Sequence, residues 1–188
     1  MNADAFFRYN FFLTIAFLER MHTLPDNRIT RALGTIKKFP RFMRGWVRDA
    51  AFGRSVPYVG STGVRFLKME PQEWVALVPN RRRARNHIRQ VHAGAMIVAA
   101  ETVAVMMTAM HLPNDRIPLV KRIDAQFVKR SEGDIHAVAR LREVDIRYIR
   151  ETPKGELEIE VEVTDEEQKA PVLVRVTSAW VPKEPKTP

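Results

Sequence analysis

The sequence predicts an α+β fold in which a curved antiparallel sheet wraps around one long buried helix. The longest apolar run, Ala93 to Met110, is rich in small residues and Met and ends before Pro113. This composition is typical of a helix that is apolar on every side. Two strand-like segments precede the run and four follow it. A sheet of six strands would bury a helix that has no polar face.

The strand candidates share an alternation of apolar and polar residues between Gly, Pro or charged turn residues. They are residues 63–69, 74–78, 119–127, 135–141, 157–163 and 172–181. The clearest is 157–163, where Leu, Ile and Val alternate strictly with Glu. The order strand, strand, long helix and four strands is that of the hotdog fold.

The length of 188 residues suits one domain with an accessory segment. We divide the chain into an N-terminal helical segment at residues 1–50, a hotdog domain at 51–182 and a tail at 183–188. The early apolar stretch 5–18 is too short to span a bilayer, and no signal cleavage site follows it. We therefore expect a cytoplasmic protein in which residues 1–50 are a candidate for peripheral membrane contact.

The composition limits the classes of function. The chain has no cysteine, which excludes disulfides, a cysteine nucleophile and Cys-based zinc sites. Lys and Arg number 31 against 22 Asp and Glu, a net charge of +9 that favours anionic partners. Since His87, His111 and His136 lack ligand spacing and no Gly-rich phosphate loop occurs, we expect no metal and no cofactor.

Glu101 is the single ionisable residue between Ala93 and Met110. A buried carboxylate without a partner is costly, so Glu101 needs either an ion pair or a function. The many arginines make a structural ion pair as reasonable as a catalytic role at this point.

The start of the predicted helix is the second candidate feature. The N–H groups of Ala93 and Gly94 would lack intrahelical partners and lie at the positive end of the helix dipole. They could polarise a thioester carbonyl, or the small residues could serve packing alone. Glu101 lies 8 positions beyond Ala93, about 12 Å along a helix. Only two helices packed antiparallel about a two-fold axis would bring these groups together, which predicts a dimer.

Polar and basic residues precede the helix. Asn86 could orient a water or a carbonyl, and His92 could exchange a proton or cap the helix. Five arginines crowd the same loop and could bind coenzyme A phosphates or an acidic acyl-carrier protein, or form a solvated basic surface. They are Arg81, Arg82, Arg83, Arg85 and Arg89.

The stretch from Val78 to Met96, with Ala100-Glu101-Thr102, resembles hotdog thioesterases of the phenylacetyl-CoA thioesterase type. It resembles a sister family of thioesterase-like proteins more closely still. Those enzymes carry Asn, then His six positions on, then Gly-Gly, then Asp or Glu nine positions after the His. Asn86, His92, Ala93-Gly94 and Glu101 match every spacing. The one departure, Ala93 for the first Gly, keeps the N–H group but adds a methyl group.

The resemblance implies hydrolysis of an acyl-CoA thioester by a homodimer or homotetramer. Glu101 would act as general base or nucleophile, the Ala93 N–H would polarise the carbonyl, Asn86 would position water or thioester, and His92 would help bind the thioester. Gly94 and the arginines Arg82, Arg83 and Arg85 would contact substrate.

Three alternatives stay open. The first is a non-catalytic acyl or acyl-CoA binding module on the same fold. The second, nucleic-acid binding through residues 28–54 and 81–89, lacks a known binding motif. The third, a hydratase, would need an Asp and a His paired at the helix start, which the sequence does not offer.

Overall fold

The computed structural model describes residues 24–184. These residues form five α-helices, one 3-10 turn at Arg82–Ala84 and six strands. The helices are α1 (Arg28–Ile36), α2 (Arg41–Ser55), α3 (Pro57–Thr62), α4 (Ala93–His111) and α5 (Glu143–Glu151). The strands are β1 (Arg65–Glu70), β2 (Glu73–Val78), β3 (Arg116–Phe127), β4 (Ile135–Arg140), β5 (Gly155–Thr164) and β6 (Val172–Pro182). Our predictions for residues 1–23 lie outside the described residues.

The six strands form one sheet in the order β1-β2-β4-β5-β6-β3, and every neighbouring pair is antiparallel. The sheet curves around α4, which contacts five of its strands, β2 to β6. Trp74, Met107 and Trp180 are fully buried between helix and sheet. The predicted α+β hotdog fold is therefore confirmed, with all six strand candidates and the central helix in the expected order.

Helix α4 is buried along most of its length because small residues let the sheet approach it closely. Fourteen of its 19 residues are buried. By length and composition it is the one helix of residues 24–184 that could cross a membrane. Its position inside the sheet is that of a core helix.

The N-terminal helices pack beside the core helix and the first strand. Phe52 of α2 contacts Phe66 of β1 with ring centroids 4.6 Å apart, and the Asp49 carboxylate accepts the Phe66 N–H at 3.1 Å. Pro40 precedes α2 and separates it from α1, because a proline inside a helix removes a backbone hydrogen bond. Helix α2 runs across the predicted division between residues 50 and 51.

Helix α5 is an element for which the sequence pattern gave no prediction. Only Ile146 and Ile149 of its nine residues are buried, so it lacks a long apolar periodicity. Its beginning does carry a capping signal, because the Asp145 carboxylate accepts the N–H of Arg142 at 3.0 Å. Acidic residues in its first turn and Arg150 in its last turn complement the helix dipole.

Candidate functional site

The loop before α4 is a compact, hydrogen-bonded turn. The His92 N–H donates to the Ala84 carbonyl at 2.7 Å, and the Asn86 N–H donates to the Gln90 carbonyl at 2.8 Å. Arg89 completes the turn with a φ of 64°, a left-handed conformation that is unusual for a residue other than glycine. The loop thereby fixes where α4 begins.

Asn86 organises this turn with its side chain. Its Oδ1 accepts the N–H groups of Ile88 at 3.0 Å and Gln90 at 3.1 Å. No atom of residues 24–184 accepts a hydrogen bond from its Nδ2 group. The amide is half-buried, so Nδ2 is the atom through which Asn86 could contact a ligand.

His92 is the N-cap of α4. Its Nδ1 accepts the Gly94 N–H at 2.9 Å, so a neutral ring carries its proton on Nε2. The His92 carbonyl accepts the N–H groups of Ala95 at 2.9 Å and Met96 at 3.3 Å. Of the first four N–H groups of the helix, only that of Ala93 lacks an acceptor within residues 24–184. The sequence predicted the N–H groups of Ala93 and Gly94 as donors to a thioester carbonyl. Because the Gly94 N–H is already bonded to His92, only the Ala93 N–H remains as a candidate.

Glu101 has no ion pair within the described part of the chain. Burial raises the pKa of its carboxyl group above the ordinary 4.5, because the apolar surroundings disfavour the charged form. An ion pair between Glu101 and an arginine was the alternative to a catalytic role in the sequence analysis. Residues 24–184 contain no such pair. A half-buried carboxyl group whose pKa is raised by burial is a candidate functional group.

Glu101 belongs to a narrow open stripe on α4. Gly94, Ile97 and Glu101 are half-buried, whereas the residues between Gly94 and Ile97 and between Ile97 and Glu101 are buried. Their spacing of three and four positions places them on one face of the helix. Ile97 was not predicted as a site residue, although its spacing of three and four positions from Gly94 and Glu101 can be read from the sequence. The stripe is where the sheet leaves the core helix uncovered.

The arginines of the loop are partly tied to the protein. Arg85 donates from Nε and Nη2 to the side-chain and backbone oxygens of Asn80, both at 2.8 Å. The guanidinium group of Arg83 lies against Gly63, where an added Cβ would overlap it. Arg81 and Arg82 are exposed. Arg83 and Arg85 are therefore held near the loop, and all four side chains keep donors toward solvent.

The structure places His92 and Ala93 at the helix start, Asn86 in the turn that leads into it, and Glu101 two turns further along the same helix. Eight positions correspond to about 12 Å, so one chain does not bring the acid to its own Ala93 N–H. No group of three or more His, Asp or Glu residues within 24–184 could hold a metal ion.

Solved structures of other proteins share the fold. A structural genomics target is similar at 22% identity and a TM-score of 0.68, over 82% of this chain and 99% of that one. A Pseudomonas aeruginosa protein of unknown function, named a probable thioesterase, is similar at 25% identity and a TM-score of 0.59, over 70% and 91%. A mutant thioesterase from the same species is similar at 18% identity and a TM-score of 0.60, over 72% and 93%.

None of the curated proteins compared with the chain matches it significantly. The solved structures share its thioesterase-like hotdog fold. Residues 45–181 match the family described as domain of unknown function DUF4442, a region that holds the sheet except the last residue of β6, together with α4 and the loop before it. The chain belongs to the DUF4442 family.

Proposed function

We propose that the protein is an acyl-CoA thioesterase whose active site forms between two copies of the chain. The observation that carries the proposal is Glu101, a half-buried carboxylate with a raised pKa and no ion pair, on the open stripe of the core helix. The likeness to structures named as thioesterases supports the reaction class.

A second copy of the chain would complete the site. Strand β3 forms an edge of the sheet and exposes apolar side chains, among them Leu119, Val120 and Phe127. An exposed apolar edge strand is a template for pairing with another chain. Two copies related by a two-fold axis, with their α4 helices antiparallel, would place each Glu101 near the helix start of the other copy.

In this site the Ala93 N–H would donate to the thioester carbonyl oxygen, where negative charge develops as the carbonyl carbon is attacked. Glu101 would take a proton from the attacking water, or attack the carbon itself to form an acyl anhydride that water then hydrolyses. The bond from the carbonyl carbon to sulfur breaks, and coenzyme A leaves as the thiol with a proton returned by Glu101 in the first route or taken from water in the second. Asn86 Nδ2 and the Nε2–H of His92 would hold the thioester.

The basic loop would bind the nucleotide end of coenzyme A or an acidic acyl-carrier protein. Arg81, Arg82, Arg83 and Arg85 present several guanidinium groups close to the helix start, and guanidinium groups bind phosphate through paired donors. The same loop holds Asn86, so binding there would place the thioester near the helix start.

The test is hydrolysis of a panel of acyl-CoA thioesters by the wild type and by Glu101→Gln. The substitution keeps the shape of the side chain and removes its basicity, so we expect turnover to fall about a hundred-fold or more, while circular dichroism and the melting temperature stay near those of the wild type. Equal rates in both proteins would remove Glu101 from catalysis.

A non-catalytic acyl-CoA binding module is the second candidate. The Oδ1 of Asn86 already accepts two backbone N–H groups, which supports the module, since this oxygen is then not available to orient an attacking water. Calorimetric binding of acyl-CoA by the wild type with no release of thiol would favour the module.

We also propose that α2 contacts anionic membranes. Phe42 is 86% exposed and Trp46 is 72% exposed, and the two lie one turn apart on the same face. Residues 27–48 carry seven Lys and Arg and no Asp or Glu, a pattern that attracts acidic lipids. We expect the wild type to sediment with phosphatidylserine vesicles, and the double variant Phe42→Ser with Trp46→Ser to stay in the supernatant.

A further inference from the structure

The Asn27 side chain joins the start of α1 to the end of the core helix α4 through hydrogen bonds. The Oδ1 of Asn27 accepts the N–H groups of Ile29 at 2.9 Å and Thr30 at 3.0 Å, which caps α1. The Nδ2 of the same residue donates to the carbonyls of Ala109, Met110 and Leu112, at 2.9 to 3.1 Å. Asn27 is buried, so one amide closes the start of α1 and the end of α4 together.

The fastened helix and α2 enclose a cavity against the end of α4. Its volume is about 550 Å³, which is within the range of small-molecule pockets. Its walls are mainly apolar and include Ile29, Ile36, Phe52, Met106, Leu112 and Ile117. Helix α1, which supplies two of these, lies outside residues 45–181 that match the family. The cavity is therefore built in part by a segment of this chain that the family match does not include.

The charges along the cavity have one sign. Arg28, Arg116 and Lys183 are among its lining residues, and no Asp or Glu from residues 24–184 is. Arg28 and Lys183 are exposed, whereas the Arg116 side chain is only 10% exposed. Arg116 donates from Nη1 to three carbonyls at the end of α5, and its buried Nε has no hydrogen-bond partner, with Asp115 at 3.8 Å.

We propose that this cavity binds a long-chain fatty acid, with the alkyl chain between α1, α2 and α4 and the carboxylate beside Arg28 and Lys183. An apolar cavity takes up an alkyl chain because burial removes the chain from water. The cations among its lining residues favour an anionic head group over a neutral one. The site is separate from Glu101, and the proposal does not depend on thioester hydrolysis.

Small residues in the walls allow a direct test with the full-length protein. Ala32 and Ala51 line the cavity and are exposed, so Ala32→Trp and Ala51→Trp would fill it without disturbing the core. Ala50→Trp is the matched control, because Ala50 is an exposed neighbour on α2 that does not line the cavity. Palmitate binding is measured by displacement of a fluorescent fatty acid.

We expect the wild type and Ala50→Trp to bind palmitate alike, and each cavity variant to bind about ten-fold more weakly or worse, equivalent to about 1.4 kcal/mol. Arg28→Glu with Lys183→Glu should weaken the binding of palmitate and leave the binding of the uncharged hexadecanol unchanged. Octanoate should bind more weakly than palmitate, because it buries less apolar surface.

Two results would overturn the proposal. One is a full-length protein that binds no palmitate. The other is equal weakening by Ala50→Trp and Ala51→Trp, which would place the fatty acid elsewhere. Glu101→Gln separates the two proposals, since it should lose turnover and keep palmitate binding.

Discussion

The two ends of α4 each carry a histidine, and the two histidines do different things. His92 at the start is exposed, and its Nδ1 accepts one N–H of the helix. His111 at the end is fully buried. Its Nε2–H donates to the Pro71 carbonyl at 2.7 Å, and its Nδ1 accepts from Arg150 at 3.2 Å. At the start of α4, which we call the open end, hydrogen-bond donors remain available to a ligand. At the end of α4, which we call the closed end, the donor of the His111 ring is already bonded within the fold.

This difference teaches that surroundings, and not residue type, decide which histidine can do chemistry. Burial lowers the pKa of His111 to about 4, so His111 stays neutral at physiological pH and is enclosed by β1–β2 turn residues and α5. We expect substitutions at the open end to change activity and substitutions at the closed end to change stability.

The largest effect should come from Ala93→Pro, which tests the open end. Proline is tolerated at the first position of a helix, and the φ of −64° and ψ of 139° at His92 suit a residue that precedes proline. The variant therefore removes the Ala93 N–H and little else. We expect the turnover of acyl-CoA to fall about a hundred- to a thousand-fold.

Ala93→Gly is the matched control for this substitution, because it keeps the N–H group and removes only the methyl group. Its turnover should equal or exceed that of the wild type. If Ala93→Pro hydrolyses acyl-CoA as fast as Ala93→Gly does, the helix start is not the oxyanion site.

The second largest effect should be that of His111→Ala, at the closed end, on the free energy of unfolding. The substitution leaves a cavity and removes the partners of the Pro71 carbonyl and of Arg150, so we expect a loss of about 3 kcal/mol in the free energy of unfolding. Urea denaturation at neutral pH measures it. An unchanged denaturation midpoint would contradict the structural role.

His111 also predicts a pH dependence of stability. The unfolded chain takes up a proton at this residue near pH 6.5, whereas the folded chain does so only near pH 4. The unfolded state therefore holds more protons between these values, and stability falls as pH drops from about 6.5 to about 4. The contribution of His111 is at most about 3 kcal/mol. The difference between wild type and His111→Phe, measured by urea denaturation across this range, should shrink as pH falls.

The smallest effect on stability should come from His92→Ala. The residue is exposed, so its loss removes one capping hydrogen bond and costs about 1 kcal/mol. The turnover of acyl-CoA should nevertheless fall, because the Nε2–H would no longer contact the thioester. If His92→Ala lost as much stability as His111→Ala, the expected difference between the two ends of α4 would be contradicted.

The sequence predicted the strands and the core helix because their patterns are long and regular, as in the alternation of β5 and the apolar run of α4. It did not predict α5, because a helix with two buried isoleucines among charged residues has too little periodicity. The spacing of Asn86, His92 and Glu101 was readable from the sequence. The use of the Gly94 N–H by His92 was not, because it depends on the orientation of a ring.

The sequence by itself determined the order of the six strands and the core helix, the apolar character of that helix and the lone acid within it, since these follow from periodicity and residue type. Only the tertiary structure decided that Asn27 joins α1 to α4, so that a cavity lies between α1, α2 and the end of α4. Only the tertiary structure, too, placed Glu101 on the stripe of α4 that the sheet leaves open. Both depend on contacts between residues far apart in the chain. Such contacts are set by how the elements pack, and no local pattern records them.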